Sequence, residues 1–78
     1  MRLEVSDTNF FINSDNWIFK LKDDQGASFY ILTSIEYSKL NIKSPITKRH
    51  LDFYDKGVII NAEVRQIDSK NIVIAILD

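Results

Sequence analysis

Apolar and polar positions alternate with a period of two near both ends of the chain, and with a longer period in its middle. That pattern predicts strands on either side of a helical segment. Leu3 and Val5 alternate with Arg2, Glu4 and Ser6 as a short first strand. A polar-flanked connection over residues 9–16 follows, with room for an extended piece from Phe10 to Ile12. From Trp17 to Lys22 the alternation returns, with Trp17, Phe19 and Leu21 on one face and Lys20 and Lys22 on the other. Asp23-Asp24-Gln25-Gly26 reads as a turn whose glycine takes a positive φ, and Ala27 to Thr33 completes a hairpin.

The middle of the chain carries helix signals. Thr33-Ser34-Ile35-Glu36 has capping-box spacing, which predicts a short helix from Ser34 to about Leu40. Ser44 before Pro45 suits an N-cap followed by the first helical position, where a missing N–H costs nothing. This second helix is expected to run to about Lys56, with Ile46, His50 and Phe53 on one stripe and Gly57 as its left-handed stop. Beyond it, Val58, Ile60, Ala62 and Val64 alternate with Ile59, Asn61, Glu63 and Arg65. Residues 68–71 make a loop before the apolar run Ile72 to Leu77. The rival reading extends the helix to Ile67, but an interior glycine costs about 0.8–1 kcal/mol and the Val-Ile-Ile run is stiff at χ1. A second hairpin is preferred.

The expected architecture is a single α+β domain over residues 1–78: an antiparallel sheet of four or five strands, in the order β-β-β-α-α-β-β, with two short helices on one face. Its expected core draws on Val5, Trp17, Phe19, Leu21, Phe29, Ile31, Ile35, Leu40, Ile46, Phe53, Ile60, Val64, Ile72, Ile74 and Ile76. Too much apolar residue is left over for such a sheet. Ile18, Tyr30, Leu32, Val73 and Leu77 fall on the opposite parity, where a half-exposed sheet is normally polar. Either a partner covers that face or the sheet curls to cover itself.

With 78 residues there is room for one core and no second domain to form a cleft. The absence of cysteine excludes disulfides, thiolate metal sites and a thiol nucleophile, and favours a cytoplasmic setting. No signal-peptide pattern opens the chain, and the longest apolar run, Ile72 to Leu77, is far too short to span a bilayer. Ile, Asn, Lys, Asp, Tyr and Phe are abundant, and their AT-rich codons point to a low-GC genome, phages and mobile elements included.

Candidate chemistry is sparse. His50 is the lone histidine, and with Arg49, Asp52 and Tyr54 it suggests a metal-independent ribonuclease. On a helix, however, Asp52 lies about 200° from His50, and only Tyr54 shares its face. Asp23-Asp24 lacks the alternating oxygens of a calcium loop, and two distant glycines make no phosphate cradle. No catalytic, cofactor or metal site is expected. Charge says more. Residues 39–56 hold Lys39, Lys43, Lys48, Arg49 and Lys56 against Asp52 and Asp55, a basic segment in a chain of net charge −1. Solvated helix faces would look the same.

Two functional expectations follow. The first is a non-enzymatic protein-interaction module (an adaptor, an inhibitor or a homodimer) binding through Ile18, Tyr30, Leu32, Val73 and Leu77, with Lys39, Lys43, Lys48 and Arg49 as a basic rim. The second is a nucleic-acid-binding accessory protein that sets the basic segment against phosphates.

Overall fold

A computed structural model describes residues 1–9 and 16–77. The elements come in the expected order: β1 (Arg2–Thr8), β2 (Trp17–Lys22), β3 (Ser28–Leu32), α1 (Ser34–Lys39), α2 (Lys48–Phe53), β4 (Ile59–Ile67) and β5 (Lys70–Ile76). The domain is α+β, and the disputed stretch after Gly57 is a strand. The expected extended piece at Phe10 to Ile12 lies outside the described residues.

The sheet does not stay open with helices on one face; it closes. The strands form a barrel in the order β1-β2-β3-β5-β4, and β4 returns to pair with β1 through Arg2↔Asn61, Leu3↔Ile60 and Glu4↔Ile59. Three hairpin-connected strands with a fourth brought back beside the first make a Greek key. The helical segment between β3 and β4 is the long connection that this return requires. β5 then fills the gap between β3 and β4, and it runs parallel to β3 at the Tyr30↔Ile72 contact. Asn71 Nδ2 donates to the Ser28 carbonyl at 3.1 Å, which ties the start of β5 to β3.

Closure requires strands that bend, and register shifts supply the bends. One residue is unpaired in each of three strands: Ser6 in β1, Ile18 in β2 and Ile74 in β5. Each bulge reverses which parity faces inward. Phe19, paired with Ile31, points into the barrel, whereas Trp17, paired with Leu32, lies on the outer parity beside Tyr30. In β5, Val73 pairs with Val64 on the inner side and Ile72 pairs with Arg65 on the outer side. Two expectations are thereby reversed. Trp17 is a half-buried outer residue rather than a core one, and Val73, expected on the outer face, is fully buried.

Leu3, Val5, Phe19, Leu21, Phe29, Ile31, Leu32, Tyr37, Tyr54, Ile60, Ala62, Ile72 and Val73 form the buried cluster, Leu32 and Ile72 joining it from the outward parity. Each large apolar side chain removed from water contributes about 1.5–3 kcal/mol. Leu40, Ile46, Val64 and Ile76 pack against the cluster while staying half-buried, and Ile74 is half-buried at its bulge. Ile35 and Phe53, both expected inside, are 69 % and 73 % exposed. Their helices bury tyrosines instead: Tyr37 from α1, and Tyr54 from the end of α2.

Thr33 caps α1 as expected, its hydroxyl accepting from the Glu36 N–H. The second helix differs. Ser44 Oγ accepts from the Ile46 N–H at 3.4 Å, a turn two residues long. The helix begins only after Thr47, whose N–H donates to His50 Nδ1 at 3.0 Å. It also ends early, because Tyr54 becomes extended (ψ 120°) and sets its ring edge-on to Phe19, with centroids 5.3 Å apart. Gly57 (φ 92°) therefore serves the turn into β4, donating its N–H to the Val5 carbonyl at 2.8 Å.

Candidate functional site

The outer surface of the barrel carries one continuous row of register partners. Lys20 on β2 pairs with Tyr30 on β3, Tyr30 with Ile72 on β5, and Ile72 with Arg65 on β4. Strands lie about 4.8 Å apart, so the path from Lys20 to Arg65 round the barrel surface is about 14 Å. Trp17 joins from the neighbouring rung, its ring centroid 6.1 Å from that of Tyr30 at an interplanar angle of 55°. The result is an aromatic pair beside Lys20, with Arg65 two strands beyond Tyr30 round the barrel. The pair's register partners of the same parity, Leu32 opposite Trp17 and Ile72 opposite Tyr30, are buried, at 9 % and 2 % exposure.

Electrostatics favour these cations as ligand groups. Among the described residues, neither Lys20 nor Arg65 forms an ion pair. The acidic neighbours on β1 are engaged elsewhere. Asp7, the register partner of Lys20, accepts from its own neighbour Thr8 N–H at 2.9 Å and meets Lys56 at 3.9 Å. Glu4 meets Lys22 at 3.7 Å. A half-buried aromatic pair has already lost much of its rotamer freedom, so little ordering cost remains when a planar ligand arrives.

The residues singled out from sequence scatter over the barrel. Tyr30 lies in the row and Ile18 is the half-buried bulge residue beside Trp17. Leu32 is buried opposite Trp17, Val73 is inside the barrel, and Leu77 is exposed beyond the end of β5. Lys39 is paired with Glu36 at 3.2 Å, one turn away on α1. Lys43, Lys48 and Arg49 are exposed on the helical connection and α2. Lys20, Arg65, Ile72 and Trp17 went unrecognised as surface partners. Parity alone marks Lys20 beside Tyr30, but no sequence signal marks the bulges that turn Trp17 and Ile72 outward.

His50 has a structural occupation. Its Nδ1 accepts from Thr47, and its ring lies 5.3 Å from that of Tyr54. The histidine and tyrosine thus share a face as the spacing predicts, but Tyr54 is buried against Phe19. Tyr37 is fully buried, its hydroxyl donating to the Val73 carbonyl, and burial pushes the phenol from 10.0 up to about 12. Among the described residues no group of three or more His, Asp or Glu side chains is placed to hold a metal ion, and no helix is long and apolar enough to cross a membrane. No protein family, curated protein or solved structure matches the chain.

Proposed function

We propose that this domain is a non-enzymatic binding module for single-stranded nucleic acid, with the outer face of β2, β3 and β5 as its platform. The observation that carries the reading is the row Lys20–Tyr30–Ile72–Arg65 with Trp17 against Tyr30. Bases stack on aromatic rings regardless of sequence, while flanking cations track the phosphates. The fold adds a supporting analogy. Five-stranded Greek-key barrels of the oligonucleotide/oligosaccharide-binding type use the outer face of strands two and three for this purpose. Fold alone does not assign function, and the weight rests on the chemistry of the face. Net charge of −1 is compatible with such a role, because short single strands respond to local cations.

Trp17 is the one tryptophan in the chain, so its fluorescence reports on the face without a label. Titration with oligothymidylate at low salt is expected to quench it. Two phosphate contacts give a slope of about −1.4 in log affinity against log salt, from roughly −0.7 per contact on single strands. Lys20→Ala or Arg65→Ala is expected to halve that slope. Tyr30→Ala is expected to weaken binding by about 5- to 100-fold, the measured range for one stacked base. Binding that ignores Tyr30→Ala, or no quenching at low salt, would refute the proposal.

A further inference from the structure

A second surface, independent of the stacking platform, lies where α2 meets β4. Arg49 and Phe53 are four residues apart on α2 and share a face, and β4 sends Ile59 outward beside them. Phe53 is 73 % exposed and Ile59 48 %, the walls of a groove of about 270 Å³ whose lining also includes buried Tyr54 and Ile60. That volume falls just below the range of small-molecule pockets, about 300–1,000 Å³, and suits one or two inserted side chains.

Charge narrows the occupant. The chain has 11 carboxylates, yet none lines this groove; its charged lining residue is Arg49. Among the described residues neither Arg49 nor its neighbour Lys48 forms an ion pair. Beyond Ile59 the next hollow adds one exposed apolar side chain, Met1, and is otherwise polar and mixed in sign, with Arg2, Glu4, Lys22, Asp23 and Asp24 around it. The apolar patch is therefore bounded and small. A stable dimer of globular subunits buries about 1,200–2,000 Å² in total, more than two protruding side chains and a shallow groove supply.

We infer that the α2–β4 groove docks a short acidic segment of a protein partner, which inserts an apolar side chain between Phe53 and Ile59 and sets carboxylates against Arg49 and Lys48. A central apolar anchor with a charged rim is the usual division of labour at such contacts, the anchor holding and the rim selecting.

The test uses the whole chain and three fluorescein-labelled short peptides with a Leu-Phe centre, flanked by aspartates, asparagines or lysines. The aspartate peptide is expected to bind at least about tenfold more tightly than the lysine peptide. Amide shift changes are expected to centre on Arg49, Phe53 and Ile59. Phe53→Ser removes binding while the chain stays folded, since that ring is mostly in water, and Arg49→Glu reverses the preference between acidic and basic peptides. Equal affinity for all three peptides, or shifts centred elsewhere, would overturn the inference. So would self-association that Phe53→Ser abolishes, which would make a second copy the occupant, or oligothymidylate that displaces the peptide.

Discussion

Replacing Tyr37 with Phe removes one hydroxyl from the inside of the barrel, and the consequence should change sign with pH. At neutral pH the variant loses the hydrogen bond to the Val73 carbonyl, leaving that buried acceptor short of a partner, at a cost of about 1–2 kcal/mol. At alkaline pH the wild type carries a penalty that the variant lacks. Tyr37 is fully buried, and burial raises its phenol to about 12, so the unfolded chain, with its tyrosine near 10.0, loses the proton first. The stabilisation is fully present below pH 10 and is lost as pH climbs toward 12. Two pKa units correspond to about 2.7 kcal/mol in full, of which about 1.4 kcal/mol has gone by pH 11. The two proteins should therefore be about equally stable near pH 11, and Phe should be the better residue above it. Urea unfolding of both proteins, from neutral pH upward, measures this directly, since the other lysines and tyrosines titrate alike in the pair. A stability difference that stays constant from about pH 9 to pH 11.5 would refute the reasoning, and would mean that water reaches the phenolate in the folded state.

Two stability predictions concern the β4–β5 turn and the walls of the α2–β4 groove. The β4–β5 turn places Asp68 and Ser69 at φ 48° and 67° between the paired Ile67 and Lys70, a two-residue hairpin turn with both central residues left-handed. Asp68→Asn with Ser69→Gly should stabilise the chain by about 1 kcal/mol, read as a higher urea midpoint at unchanged slope; an unchanged or lower midpoint would show that Ser69 is not strained. Phe53→Ser should lie within about 0.5 kcal/mol of wild type, whereas Ile60→Ala on the neighbouring strand should cost about 2–5 kcal/mol. A large loss at Phe53 would mean that its ring packs inside in solution.

Element order was legible because each element has a local cause. The period of two in residues 17–22 and 58–64, the Thr33 cap and the positive φ of Gly26 and Gly57 are all decided within a few residues. The second helix was legible only in outline. Ser44-Pro45 has good cap chemistry, but a seryl oxygen serves a two-residue turn as readily as a helix, and the Tyr54 ring, drawn to Phe19, ends the helix before Lys56. Burial of Tyr37 and Tyr54 in place of Ile35 and Phe53 also follows from long-range packing. Once the barrel closes, its interior takes two phenol rings, one with a carbonyl to bond, and the aliphatic and phenyl groups one or two positions away are left in water.

The candidate site was harder to read, for one physical reason. Parity along a strand assigns faces correctly only while every residue is paired, and one unpaired residue inverts everything beyond it. Ile18 and Ile74 are such residues. The first moves Trp17 from the expected core to the side of Tyr30, and the second brings Val73 inside while Ile72, on the opposite parity, stays buried as expected. The surplus of apolar residues that suggested a covered sheet face is therefore partly consumed by closure: Val73 and Leu32 both join the buried cluster. Beside the exposed Met1, Ile35 and Leu77, two uncovered apolar surfaces among the described residues differ in character. At Trp17 and Tyr30 the surface is aromatic, with Lys20 beside it and Arg65 further round the barrel, which suits bases on an anionic backbone. At Phe53 and Ile59 it is a groove with one basic lip, which suits an inserted side chain. The same barrel can hold both ligands at once only if the two surfaces lie far enough apart. The row reaches β4 at Arg65 and the groove meets it at Ile59, six residues away, so those two edges stand about 20 Å apart along the strand. Peptide and oligonucleotide should then bind without competition.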